Sequence, residues 1–180
     1  MNRLLLDIAK IAILGEFDKT IKINENELLK KYPMLQELRA TFVTLTINGR
    51  LRGCIGSLIA HRTLLDDLMH NAKSAAFGDP RFPPLSKEEF SFVSIEVSLL
   101  TTPIEVHYTD TNDLKVKIQK GIDGVILKSG YHQATFLPQV WESLNDFDDF
   151  FSALCQKAGL NGNCLDSKPT ICKYNVEKIK

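Results

Sequence analysis

Apolar residues fall along the chain in runs whose spacing switches between the helical and the strand period. From residue 3 to 17, Leu4, Leu5, Ile8, Ile11, Ala12 and Leu14 recur at mostly helical intervals, which predicts a helix with a broad apolar face. Asn24 to Lys31 repeats the pattern more weakly and is closed by Tyr32-Pro33. Phe42 to Ile47 is rich in β-branched residues and reads as a strand. Asn48-Gly49 follows, and both residues tolerate positive φ. A two-residue type I′ turn and a return strand over Arg50 to Ile55 are therefore expected. Counted outward from that turn, Cys54 lies opposite Val43 and Arg52 opposite Leu45. Thr63 to Phe77 predicts a second helix, capped by Thr63 with Asp66 in the manner of a capping box. Its apolar stripe is Leu64, Leu65, Leu68, Met69, Ala72, Ala75 and Ala76, and Gly78-Asp79-Pro80 stops it.

The second half is richer in short alternating runs. In Phe92 to Leu100, Val93, Ile95, Val97 and Leu99 face one side while Ser94, Glu96 and Ser98 face the other, as in a strand with one buried face. Ile104, Val106 and Tyr108 suggest another short strand. Leu114, Val116 and Ile118 alternate with Lys115, Lys117 and Gln119, which suggests one more, with a helix as the alternative. Asp123–Lys128 and Tyr131–Leu137 flank Ser129-Gly130 as a second hairpin. Phe147 to Ala158 predicts a helix begun by Asp146 or Asp148 and ended by Gly159. One strand, Thr170 to Val176, is expected in the tail, and the flexible seam in Thr101 to Asn112. Helices and strands mix without strict alternation, and hairpins outnumber crossovers. The expected class is α+β, with mixed, largely antiparallel sheets and flanking helices.

Composition narrows the function classes. The 180 residues are 44% apolar and 24% charged, ordinary for a globular chain and unlike a disordered, collagen-like or coiled-coil one. Lys plus Arg and Asp plus Glu number 22 each, so phosphate-driven binding of nucleic acid is disfavoured. No run approaches the ~20 apolar residues that span a bilayer. Asp7 and Lys10 interrupt the first apolar run, so a signal peptide is not expected. Cys54, Cys155, Cys164 and Cys172 form no C-x-x-C pair and read as scattered thiols of a reduced cytoplasmic protein. His61, His70, His107 and His132 are dispersed, and neither a metal nor a cofactor is expected. There is no P-loop, no G-x-S-x-G, no H-E-x-x-H and no G-x-G-x-x-G.

Candidate chemistry gathers at Leu51-Arg52-Gly53-Cys54-Ile55-Gly56-Ser57-Leu58. Glycine within a strand often marks a bulge or a close backbone approach. Arg52, two residues from Cys54, would share its face and favour the thiolate, the reactive form. The alternative is that Cys54 is a small buried hydrophobe. In Asp79-Pro-Arg-Phe-Pro-Pro84, three prolines stiffen a loop that presents Asp79 and Arg81. Either Arg81 clamps an anion or the Asp79–Arg81 pair pins the loop. Arg81 is expected to point toward the Cys54 strand and to be partnered by Asp79 or Glu96. Glu96 is either solvated or lines a site. Gln139 and Trp141 would wall a pocket or close the core.

Leu51-Arg-Gly-Cys-Ile-Gly-Ser57 closely resembles the signature of the AMMECR-one domain family, whose prokaryotic branch is called AmmeMemoRadiSam system protein A. Six further segments resemble the family in the same order: Phe42–Leu45, Asp79–Leu85, Ile95–Leu99, Gly121–Val125, Thr135–Val140 and Lys157–Leu160. The resemblance implies a single family domain over residues 1–180, with two unequal lobes, the larger built from both chain ends, and the cysteine motif near the cleft between them. It also implies Memo-like and radical S-adenosylmethionine proteins as partners. Two readings follow. In the first, the protein is an enzyme acting on a small polar or anionic ligand, with Cys54 as nucleophile, Glu96 as general base, and Arg52, Gly53, Gly56, Asp79 and Arg81 binding substrate. In the second, the motif is structural and the chain is a non-catalytic module that docks one of those partners.

Overall fold

The computed structural model describes residues 2–180. Its helices are α1 (Asn2–Phe17), α2 (Glu25–Lys31), α3 (Leu64–Phe77), α4 (Lys87–Phe90), α5 (Thr111–Lys117) and α6 (Phe147–Lys157). Its strands are β1 (Thr41–Ile47), β2 (Arg50–Gly56), β3 (Val93–Leu100), β4 (Ile104–Glu105), β5 (Gly124–Ser129), β6 (His132–Phe136), β7 (Thr170–Tyr174) and β8 (Val176–Ile179). They form a mixed α/β fold of two four-stranded sheets and two compact units. One unit comprises the residues up to Leu100 together with Glu177–Lys180, and the other is Thr101–Val176. The division falls where the Thr101–Asn112 seam begins.

The first unit is built on a sheet of order β2-β1-β3-β8, in which β1 pairs antiparallel with both β2 and β3. Asn48 and Gly49 take the positive φ that the hairpin turn requires, 50° and 76°. Alternation along β1 and β3 sends Val43, Leu45, Val97 and Leu99 into a core shared with Leu5, Ile8 and Ile13 of α1 and Leu64, Leu65 and Leu68 of α3. Thr44 and Glu96 are thereby left on the opposite face of the sheet. The Thr63 hydroxyl caps α3 by accepting the Asp66 N–H, and it also donates to the Asp66 carboxylate.

The second unit has a sheet of order β4-β7-β5-β6, antiparallel throughout. Phe147, Phe150, Phe151 and Leu154 of α6 cover Val125, Leu127 and Ile171 of the sheet. Trp141 closes this core: its ring stacks on Phe150 at 3.6 Å, and its indole N–H donates to the Asp123 carbonyl at 2.9 Å. Gln139 is exposed.

Three expectations need correction here. The Leu114–Ile118 segment is helical, not a strand. A strand would put Leu114, Val116 and Ile118 on one face, whereas the helix buries Leu114 and Ile118 and leaves Val116 84% exposed. Asp110 starts it by accepting the Asp113 N–H. The tail carries two strands, β7 and β8, one in each sheet. Finally, the thiols are not all free, because Cys155 and Cys164 form a disulfide. After α6 the chain doubles back, with the Leu160 N–H on the Cys155 carbonyl, and brings the two Cα atoms to 5.8 Å. Cys54 and Cys172 remain free.

Candidate active site around Cys54

Strand β2 departs from the register that its turn sets. Ile47 faces Arg50 and Thr46 faces Leu51, but Leu45 then faces Gly53 and Thr44 faces Cys54. A β-bulge has inserted Arg52, so Cys54 does not lie opposite Val43, nor Arg52 opposite Leu45. Such a bulge re-aims the side chains that follow it. Without it Cys54 would share the core face with Val43. With it Cys54 stands on the polar face, half-buried, its Sγ 3.2 Å from the Thr44 hydroxyl. Thr44 in turn lies opposite Glu96. Cys54, Thr44 and Glu96 thus form one row across three strands, and Lys180 pairs with the Glu96 carboxylate at 3.0 Å.

The two glycines of the motif serve packing. A Cβ on Gly53 would fall 2.1 Å from the Ala75 carbonyl of α3, so only glycine lets helix and strand approach this closely. A Cβ on Gly56 would meet the Phe42 ring at 2.2 Å.

Strand β2 is an edge, and the Asp79–Phe82 loop covers it at Cys54. The Cys54 N–H donates to Asp79 Oδ2 at 2.9 Å, and the Cys54 carbonyl accepts from Arg81 Nη2 at 3.2 Å. These two side chains take the places of a neighbouring strand's carbonyl and amide. The Cys54 backbone groups point outward, so Thr44 and Cys54 are a non-hydrogen-bonded pair, the closer kind for side chains. Arg81 grips Asp79 bidentately, Nε to Oδ1 at 3.0 Å and Nη2 to Oδ2 at 2.7 Å. Asp79 also accepts the Arg81 N–H, and its side chain is buried. The Arg81 guanidinium, with help from the Cys54 and Arg81 amides, holds the Asp79 carboxyl well below the usual carboxylate range against the opposing cost of burial. Arg81 therefore faces the Cys54 strand with Asp79 as its partner, but its side chain is 53% exposed.

Arg52 is held differently. It is buried, and its Nε and Nη2 donate to the two carboxylate oxygens of Glu89 at 3.1 and 3.0 Å. Sequence reasoning missed Glu89, although a signal existed. Ser86 and Glu89 form the reciprocal capping box of α4, and that S-x-x-E spacing is visible in the chain. The Arg52 guanidinium, then the Ser86 N–H, lower the Glu89 pKa. The Phe82 ring lies near both arginines, 5.9 Å from the Arg52 guanidinium and 5.6 Å from that of Arg81.

A second missed group pins the end of the motif. Fully buried Asp67 accepts from the Ser57 hydroxyl at 2.6 Å, from the Thr41 N–H and hydroxyl, and from Asn71. Asp67 and Asn71 lie four apart on α3, a polar pair inside its apolar stripe. Among the described residues no cluster of three or more His, Cys, Asp or Glu is arranged to hold a metal.

This arrangement sits in a chain with clear relatives. The model of the AMMECR1 family matches residues 6–179. A protein of Methanothermobacter thermautotrophicus is 38% identical over 180 residues, covering 98% of this chain and 92% of the relative. One from Saccharolobus islandicus is 40% identical over 184 residues, covering 97% and 79%. The crystal structure of an uncharacterised protein from Pyrococcus horikoshii is similar with a TM-score of 0.82 at 32% identity, covering 97% of this chain and 88% of that one. This chain belongs to the AMMECR1 family.

Proposed function

We propose that the protein is an enzyme acting on a small polar substrate at the Leu51–Ser57 strand, with Cys54 as its nucleophile. The observation that carries the reading is the β2 bulge, which turns Cys54 away from the core to face Thr44. A cysteine needed only for packing gains nothing from being re-aimed onto a polar face. The rest of the geometry supports the same role. The Cys54 backbone is held on both sides by Asp79 and Arg81, so its thiol is presented from a fixed position. Glu96, next in the row beyond Thr44, serves as the base, with Lys180 steadying its charge. Arg52, anchored by Glu89, also packs near the Phe82 ring. The reading has the protein acting beside Memo-like and radical S-adenosylmethionine proteins, as its family resemblance implies.

Alkylation of the native protein by iodoacetamide, mapped by peptide mass, tests the nucleophile. Cys54 is expected to react faster than Cys172, whose thiol burial pushes toward the unreactive form. A Cys54 no faster than Cys172 would remove the nucleophile. A Cys54→Ser protein that keeps its melting temperature and its full function in cells would favour the docking module instead.

A further inference from the structure

We infer that Arg81 is a receptor for the carboxylate of a singly charged small ligand whose reacting carbon lies at Cys54, which rests on the nucleophile reading above. The inference comes from how differently the two arginines are engaged. Arg52 is closed off: its Nε and Nη2 bind the two carboxylate oxygens of Glu89, and only 11% of its side chain is exposed, so the Nη1 that these bonds leave over is shielded from a ligand. Arg81 is held as firmly but stays accessible. Nε and Nη2 donate to Asp79, Nη2 also donates to the Cys54 carbonyl, and Nη1 has no partner among the described residues. With 53% of the side chain exposed, that edge is reachable from solvent. The guanidinium is nevertheless held in place by Asp79, the Cys54 carbonyl and the Phe82 ring, so little orientational freedom is lost when an anion arrives.

The buried partner does not depend wholly on Arg81. Asp79 keeps the backbone N–H groups of Cys54 and Arg81 as donors even when the guanidinium shares itself with a ligand. A receptor whose counter-ion is separately satisfied can turn toward a ligand without stranding a buried charge. Charge sets the ligand class. Arg81–Asp79, Arg52–Glu89 and Lys180–Glu96 sum to zero, so no surplus positive charge awaits a dianionic phosphate. A monoanion that accepts N–H bonds from Nη1 leaves one uncompensated charge where a dianion leaves two, so the carboxylate is the better match. Arg81 binds the carbonyl of the same residue that carries the thiol, at 3.2 Å. A ligand held by its carboxylate on Nη1 is thereby seated at the Cys54 segment of β2, and the inference requires its neighbouring carbon to reach Sγ.

Iodoacetate and iodoacetamide test this, because they differ only in the carboxylate. In each reaction Cys54 Sγ forms a bond to the CH2 carbon, the C–I bond breaks and iodide leaves. The measured quantity is the ratio of the iodoacetate to the iodoacetamide rate, with Cys172 as internal reference. The ratio at Cys54 is expected to exceed that at Cys172 by about tenfold, the effect of one charge-assisted hydrogen bond on binding. Arg81→Gln should bring it down to the Cys172 ratio, and Arg81→Lys should leave it in between. A Cys54 that reacts quickly with iodoacetamide but shows no raised ratio overturns the carboxylate receptor and leaves the nucleophile standing. A Cys54 slow toward both reagents overturns the nucleophile. The receptor is then read in Cys54→Ser from the Arg81 Nε–H resonance, identified by its loss in Arg81→Gln. Propionate should shift that resonance and propionamide should not, and equal responses, or none, overturn the receptor.

Discussion

Asp79 accepts four hydrogen bonds, two of them from backbone amides and two from its own loop's arginine. Its folded pKa lies below its unfolded one, so the unfolded chain binds the proton more readily. The resulting stability is present above the ordinary carboxylate range, near pH 4, and is lost as pH falls through that range toward the folded value. Glu89, held low by Arg52, adds loss in the same direction. Urea midpoints taken between pH 7 and pH 2 are expected to fall steeply below about pH 4. Asp79→Asn should flatten part of that fall, and an unchanged profile would show that Asp79 stabilises nothing. Gly53 makes a different demand. Its absent Cβ leaves room for the Ala75 carbonyl, a backbone atom that can move only with α3. Gly53→Ala is therefore expected to cost about 3 kcal/mol by overpacking, read as a lower urea midpoint. Both glycines were recognisable in the chain as marks of close approach. The identity of what approaches, α3 at Gly53 and Phe42 at Gly56, was not, because it depends on contacts between distant residues.

At the scale of elements, β2 and α5 went beyond their local patterns for different reasons. Asn48-Gly49 correctly sets the turn, and Ile47–Arg50 and Thr46–Leu51 follow from it. The glycines of the motif mark a bulge or a close approach, but nothing local says that Arg52 is the residue inserted. Its guanidinium is satisfied only through Glu89, 37 residues away, and the shift it introduces decides which face Cys54 occupies. In α5 the alternation of apolar and polar residues matches a strand. The Asp110 cap and the burial of Leu114 and Ile118, four apart, favour the helix. The disulfide ties the last turn of α6 to Cys164 across a sequence separation of 9. Removing it by Cys155→Ala with Cys164→Ala should destabilise the Thr101–Val176 unit by about 2–3 kcal/mol, the loop-closure value for so short a span. Faster hydrogen exchange in α6 and β6 on reduction would register the same loss, and unchanged exchange would show that packing alone holds the helix.

For the whole molecule, charge balance and element order carry the clearest consequences. With 22 basic and 22 acidic residues there is no general pull toward phosphate backbones. Fluorescence anisotropy is expected to give a duplex-DNA Kd weaker than about 10⁻⁴ M near physiological salt, and tighter binding would reveal a local basic surface. No described helix is long and apolar enough to cross a membrane. The sequence by itself determined the α+β class, the first hairpin and its turn, the caps of α3 and α6 and the family, because each rests on residues close together or on ordered motifs. It also singled out the residues around Cys54 and offered Asp79 and Glu96 as partners for Arg81, of which the structure takes Asp79 and pairs Glu96 with Lys180. Only the tertiary structure decided the bulge at Arg52, the row of Cys54, Thr44 and Glu96, the grip of Glu89 on Arg52, the free Nη1 edge of Arg81 and the pairing of Cys155 with Cys164. A local pattern reports which faces a residue prefers. Which partner finally meets it is chosen by strands and loops tens of residues apart, and that choice minimises unsatisfied polar groups and voids over the whole unit at once.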